Sequence, residues 1–212
     1  MSFKRIGLFG GSFDPPHIGH VALVQAALEW LPLDELRVVP VGLPVHRELS
    51  GRVSAEQRLA WLATLFAGMP GVVVWDWEVK RSEPTATIDT LRHLAATEPE
   101  ARPLLLLGGD AFAGMQSWRG YPQHQQLCDV AVFARQGVAK PRLAGWREAT
   151  VGEWQQVAGS GRVIYLDVSL PDISATELRA RLESDSPDIR ELPEAIAAEI
   201  VVMYGKGRTA NG

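Results

Sequence analysis

A chain of 212 residues, 46% hydrophobic and 22% charged, has the size and balance of one large globular domain, which excludes a mainly disordered or collagen-like protein. Its 21 Lys and Arg against 25 Asp and Glu give a formal charge of −4, so no global basic field exists to hold nucleic acid or acidic lipid, and any anion must be bound locally. The single cysteine, Cys128, excludes an intrachain disulfide and a cysteine-based zinc cluster; no apolar run approaches the ~20 residues that span a bilayer, the first residues lack the apolar core of a signal peptide, and a reducing cytoplasm is the expected location.

Short β-rich apolar runs alternate with segments of helical period, the pattern of a parallel sheet covered by helices. Strands are expected at 6–9, 36–41, 72–75, 104–107, 130–134 and 163–166. Val21, Val24, Leu28 and Leu31 recur at helical spacing after the first strand, and Leu59, Leu62 and Phe66 do so behind Ser54 and Gln57, an S-x-x-Q capping box. Ile88, Leu91 and Ala95 mark a third helix. Between 136 and 161 the sequence mixes Gly, Pro, charged residues and two tryptophans, which reads as a variable insertion with one helix at about 146–157. A C-terminal helical segment over 174–204 follows: Ser174 and Glu177 form a second capping box ahead of Leu178 and Leu182, and Ile196, Ile200 and Met203 mark a last helix after Pro193. No repeat or linker divides the chain. The expectation is therefore a single domain over 1–212, an α/β fold with an open, mainly parallel, Rossmann-like sheet and helices on both faces. In such sheets ligands bind beyond the carboxyl ends of the strands.

The segment after the first strand is Gly10-Gly11-Ser12-Phe13-Asp14-Pro15-Pro16-His17-Ile18-Gly19-His20, and it leads directly into the first helix. Adjacent glycines let the backbone approach a ligand, the prolines stiffen the turn, and two histidines three apart stand at a helix N-terminus, where free N–H groups favour phosphate. Taken singly, each histidine reads as an incidental polar residue, and the Gly and Pro pairs as the makings of a tight connection. Together they read as an anion site.

This segment resembles the signature of the H-x-G-H nucleotidyltransferase superfamily, here His17-Ile18-Gly19-His20, and more narrowly that of the bacterial nicotinate-nucleotide adenylyltransferases. Four further motifs in the same order carry the resemblance to about residue 182: Pro44-Val45-His46-Arg47; Glu78-Val79-Lys80-Arg81 running on to Pro84-Thr85-Ala86-Thr87-Ile88-Asp89-Thr90-Leu91; Leu107-Gly108-Gly109-Asp110 through Trp118; and Ile173-Ser174-Ala175-Thr176-Glu177-Leu178-Arg179. The resemblance implies transfer of AMP from ATP to nicotinate mononucleotide, giving deamido-NAD and pyrophosphate. It implies Mg²⁺ with ATP, held mainly by substrate oxygens and water without a dedicated protein ligand. It places His17 and His20 in catalysis and on ATP, together with Gly10, Gly11, Ser12, Phe13, Gly108, Asp110, Arg135, Ser174, Thr176 and Arg179. His46, Arg47, Thr87 and Trp118 fall to the mononucleotide.

Several of these residues also have plainer roles. Ser174 can be only a helix cap, Asp110 the N-cap of the next helix, Arg47 a solvated loop charge and Trp118 a core residue. The chain departs from the family pattern at Val41-Gly42-Leu43, where asparagine is frequent, at Ala86, where tyrosine is frequent, and at Arg119, where an aromatic is common. Arg119 would favour the carboxylate of nicotinate through a charge-assisted pair. Phosphopantetheine adenylyltransferase is the rival enzyme, and a nucleotide-binding module without turnover the rival of another class. A dehydrogenase is disfavoured by the absence of G-x-G-x-x-G, a phosphate-loop enzyme by the absence of G-x-x-x-x-G-K-[ST], and a zinc hydrolase by the missing glutamate of H-E-x-x-H.

Overall fold

A computed structural model describes residues 3–44, 52–134, 139–184 and 186–205. The six apolar runs are strands, and a seventh comes from the 136–161 stretch: β1 (Lys4–Gly11), β2 (Glu35–Pro40), β3 (Val72–Val74), β4 (Ala101–Gly108), β5 (Asp129–Ala134), β6 (Arg147–Glu148) and β7 (Arg162–Asp167). Among the described residues they form one sheet in the order β3-β2-β1-β4-β5-β7-β6, with every pairing parallel. In β4 the side chains from Arg102 to Leu107 are all buried, and in β5 all six are. Strands buried on both sides require a layer on each face, as is usual for parallel sheets.

Those layers are α1 (Ile18–Trp30), α2 (Ala55–Leu65), α3 (Thr87–Thr97), α4 (Gly109–Ala113), α5 (His124–Leu127), α6 (Val151–Gln156), α7 (Ala175–Leu182) and α8 (Glu194–Tyr204), with a 3₁₀ turn at Gly114–Ser117. Phe9, Leu104, Leu106, Ala131 and Phe133 pack with Leu23, Val24 and Leu62 from α1 and α2. Ile6, Leu8, Leu105, Leu107, Val130 and Val132 face the other way, onto Leu91 and Leu94 of α3 and Phe112 of α4. A third cluster joins Trp61 of α2 to Leu178, Leu182, Ile196, Ile200 and Tyr204, and so fastens α7 and α8 beside the sheet. Among the described residues no helix is long and apolar enough to cross a membrane.

Some local expectations change. The helix expected at 146–157 is confined to α6, because Trp146 is buried against Phe112 and Arg147–Glu148 pair with β7 before Thr150 caps the helix in a reciprocal bond with Glu153. In α3 it is Leu94 that turns inward while Ala95 is exposed, and in α8 Tyr204 is buried and Met203 only half so. Only half of each expected capping box forms: Ser54 and Ser174 accept from the amides of Gln57 and Glu177, whereas the Gln57 side chain reaches Glu199 instead.

At the amino ends of the strands Asp129 is wholly buried. Its Oδ2 accepts from Arg102 at 3.2 and 3.3 Å and from the Trp154 indole at 2.8 Å, and its Oδ1 accepts the Arg162 amide at 2.8 Å. Removing one member of a buried ionic cluster leaves the others uncompensated. Asp129→Ala is expected to lower the unfolding free energy by about 3–5 kcal/mol in urea titration, and Asp129→Asn, which keeps an acceptor, by less.

Candidate active site

The strand β1 ends in Gly10 and Gly11, and the chain then turns through Phe13 at a φ of +49°, a left-handed conformation that costs about 1–2 kcal/mol outside glycine. The conformation is held because the Phe13 ring is buried, edge-on to Phe9 at 5.4 Å and 4.8 Å from the His20 ring. Phe13 is thus the floor beneath His20, and only its backbone is left for a ligand. The peptide between Asp14 and Pro15 is cis. His17 is the N-cap of α1; its ring stacks on that of His20 with centroids 3.6 Å apart, and its amide donates to His20 Nδ1 at 3.1 Å. That bond leaves the proton of a neutral His20 on Nε2. The Nδ1 of His17 is buried and has no partner among the described residues. Burial pushes the His17 imidazole down to about 4, and burial together with the neighbouring His17 pushes His20 well below the usual histidine range. Both rings are therefore neutral near pH 7 and desolvated. Space at Gly19 is tight: a Cβ would stand 3.0 Å from His17 Nδ1 and 3.4 Å from the Pro171 carbonyl.

A polar network carries the loop from below. The side chain of Arg58, buried on α2, donates to the carbonyls of Ser12 at 2.7 Å and Val41 at 2.6 Å, so one guanidinium spans the chain ends that leave β1 and β2. Burial lowers the Arg58 pKa, opposed by the charge of Asp14. The Tyr204 hydroxyl donates to Asp14 Oδ1, and Arg179 donates to the Asp14 carbonyl at 2.5 Å and to Thr176 Oγ1 at 3.2 Å. The carbonyl of Glu191 takes the Ile18 amide at 2.9 Å. With His17 and Ile18 both engaged, the start of α1 offers fewer free N–H groups than the sequence suggests.

A cavity of about 340 Å³ opens beside this loop at the carboxyl ends of the strands. Its lining is Gly10, Gly11 and Ser12 with Val39, Val41 and Pro44, then Glu78, Thr85, Ala86 and Thr87 on the neighbouring segment that Pro44 bridges to at Thr85, and Trp118, Arg119, Leu105 and Leu107. Thr87 opens α3, and Asp89 accepts the Ala86 amide at 2.9 Å while also pairing with Arg119, whose charge is thereby partly answered within the protein. Trp118 is half-buried, so it lines the cavity and packs on the core at once. Desolvation pushes the Glu78 carboxyl up to about 7, against the hydrogen bond from Thr90 that lowers it.

The structure thus groups Gly10, Gly11, Ser12, Thr87, Trp118 and Arg119 around one cavity, and joins Arg179 and Thr176 to the loop that bears His17 and His20. Gly108 is the N-cap of α4, so Asp110 is not; it stands exposed in the first turn, beyond the strand that pairs with β1. Ser174 is the cap of α7. His46, Arg47 and Arg135 lie outside the described residues. Arg58, Glu78, Tyr204 and the pairing of Asp89 with Arg119 were not singled out from the sequence. One signal was available for Arg58, whose spacing to Trp61 and Leu62 puts it on the inward stripe of α2. Hydrogen bonds from a charged donor contribute about 1.5–3 kcal/mol, so Arg58→Met is expected to lower the unfolding free energy by about that amount in urea titration. Arg58→Lys, a single point charge unable to span two carbonyls, restores only part of it.

A family model described as cytidylyltransferase-like matches residues 8–181. The chain is 36% identical over 202 residues to the probable nicotinate-nucleotide adenylyltransferase of Chromobacterium violaceum, covering 92% of this chain and 95% of that protein. It is 35% identical over 214 residues to that of Pseudomonas syringae pv. tomato, covering 98% and 96%. Among solved structures, the Plasmodium falciparum nicotinic acid mononucleotide adenylyltransferase complexed with NaAD superposes with a TM-score of 0.73 over 95% of this chain and 96% of that one; at 17% identity the likeness is one of fold. The histidine loop, the cavity beside it and these full-length relatives agree: the chain belongs to the cytidylyltransferase-like family and, within it, to the nicotinate-nucleotide adenylyltransferases.

Proposed function

We propose that this chain, working as one unit in the cytoplasm, transfers AMP from ATP to nicotinate mononucleotide, releasing pyrophosphate and forming deamido-NAD in NAD biosynthesis. Its main support is the stacked, desolvated pair His17 and His20 on the loop whose first residues line the cavity. The 5′-phosphate of the mononucleotide, with a second pKa near ~6, is already mostly dianionic at neutral pH. It attacks the α-phosphorus of ATP, the bond from that phosphorus to the bridging oxygen breaks, and pyrophosphate leaves with the electron pair. No general base is required. Catalysis is alignment, which can supply up to about 7–11 kcal/mol in favourable cases, and cationic donors aimed at the phosphates.

In this assignment His17 and His20 face the ATP phosphates, His20 standing nearest the five-coordinate phosphorus. The backbone of Gly10, Gly11, Ser12 and Phe13 supplies neutral donors. Thr176, Arg179 and the start of α7 at Ser174 take the outer phosphates; Arg179 makes two hydrogen bonds among the described residues, stands 3.9 Å from the Asp14 carboxylate, and has further N–H groups to give. Gly108, with no atom near the space a Cβ would fill, and the exposed Asp110 suit the adenosine side, with Arg135. Thr87, Trp118 and Arg119 hold the pyridine mononucleotide, Trp118 by its ring face, with His46 and Arg47 on its phosphate. Magnesium arrives as part of the substrate, on phosphate oxygens and water.

Mixing the protein with Mg²⁺, ATP and, in turn, nicotinate mononucleotide, nicotinamide mononucleotide or phosphopantetheine is expected to release pyrophosphate, fastest with the first. Binding without release would make the protein a nucleotide-binding module. His20→Ala is expected to lower kcat by at least about 100-fold. A second expectation follows from the depressed His17 pKa: neutral above about 4 in the free protein, the ring is recharged by a triphosphate, whose negative charge raises its pKa. ATP binding should therefore take up a proton between the free and bound pKa values, and should weaken with rising pH across that interval, levelling off above the bound value. Calorimetry in buffers of different ionisation enthalpy reads that uptake directly, and His17→Gln should reduce it.

A further inference from the structure

We propose that Glu78 selects the substituent on the pyridine ring, its buried carboxyl meeting the acid or amide group of the substrate from the cavity wall that also carries Thr85 and Thr87. This rests on the assignment of the cavity to the mononucleotide. Glu78 is 8% exposed and lines the cavity. Its Oε1 accepts from the Thr90 hydroxyl; Oε2 makes no hydrogen bond among the described residues, and it is not sealed in the interior.

No described charge on the surrounding elements answers this carboxyl. On α3 stands Asp89, a like charge that raises the pKa of Glu78, and the Arg119 guanidinium beside it is taken by Asp89. On its own segment Lys80 pairs with Asp76 at 2.7 Å, and Arg81 lies over the Trp77 ring with Glu83 at 3.6 Å. The chain leaving β2 brings backbone only: a Cβ on Gly42 would stand 2.2 Å from the Glu78 carbonyl. The loop after β1 contributes Gly10, Gly11 and Ser12, and Arg58 beneath it is turned to the carbonyls of Ser12 and Val41. The carboxyl is consequently held at a pKa of about 7, poised between its two forms.

The chemistry of the two forms differs toward the two substrates. Protonated Glu78 donates its O–H to the nicotinate carboxylate, whereas the ionised form sets two negative groups against each other in a site poor in water. A carboxamide is served by either form, accepting from the acid or donating N–H to the carboxylate. Preference for the acid substrate thus follows the protonated fraction of Glu78, which for a pKa of about 7 falls about tenfold from pH 6 to pH 8.

The test measures kcat/KM for nicotinate and nicotinamide mononucleotides from pH 5.5 to 9 with saturating MgATP. Titrations of His17, His20 and the substrate phosphate affect both substrates and cancel in the ratio. The acid-to-amide ratio is expected to fall about tenfold between pH 6 and pH 8. Glu78→Gln, which cannot ionise, should hold the ratio near its low-pH value at every pH. Thr90→Val removes the hydroxyl that lowers the Glu78 pKa and should move the transition to higher pH. A ratio flat with pH in the unmodified protein, or the same transition in both variants, overturns the role of Glu78 while leaving the reaction standing. Should Glu78→Gln fail to fold, an unshifted midpoint in Thr90→Val overturns it alone. Release of pyrophosphate with neither mononucleotide would instead remove the assignment of the reaction itself.

Discussion

The guanidinium of Arg58, sealed inside the protein and shared between the carbonyls of Ser12 and Val41, is the constraint on which the site geometry depends. Parallel strands β1 and β2 stay paired to their ends, where the Val41 amide donates to the Gly11 carbonyl at 3.0 Å, and the loops that follow them border the cavity. One planar cation with donors on separate nitrogens fixes both loops at once. An aliphatic residue in its place would fill the volume but leave two carbonyls without a donor, and this explains why a charge is tolerated where burial opposes it.

The loop so fixed holds its histidines in an environment that disfavours their charged forms. Stacked on each other, backed by Phe13 and largely removed from water, the rings of His17 and His20 are disfavoured as cations until negative charge arrives. A cost of this kind becomes selectivity for a highly charged ligand when it is offset on binding. Glu78, which lines the cavity, follows the same logic with the sign reversed: desolvated, and with no cation answering it among the described residues, it is disfavoured as an anion. The histidine loop and the Glu78 segment therefore each hold ionisable groups away from their ordinary charge states, the first disfavouring positive charge and the second negative charge.

The C-terminal helices belong to this arrangement more closely than their place in the chain suggests. Tyr204 of α8 reaches Asp14, Arg179 of α7 reaches the carbonyl of the same residue, and Glu191 between them takes the amide that opens α1. The cluster around Trp61 and Ile200 supplies the apolar burial that keeps these contacts in register. Arg179 and Thr176 are thereby tied to the loop that carries the histidines.

Local sequence determined the alternation of strands and helices, the parallel sheet and the histidine loop, because each of these is written in short-range terms: apolar runs of strand length, helical spacing, and a Gly-rich turn entering a helix. It also marked Thr87 and Trp118, which the fold does bring to one cavity. Only the tertiary structure decided what lies behind and between them. Arg58 and Ser12 are separated by 46 residues and Tyr204 and Asp14 by 190, so no periodicity connects them. Glu78 stands in a legible motif, yet its character comes from burial and from Asp89 answering Arg119, neither of which the order of residues encodes. Patterns along a chain report which surfaces are apolar; the charge state of a group depends on the solvent and neighbours that remain once those surfaces have closed.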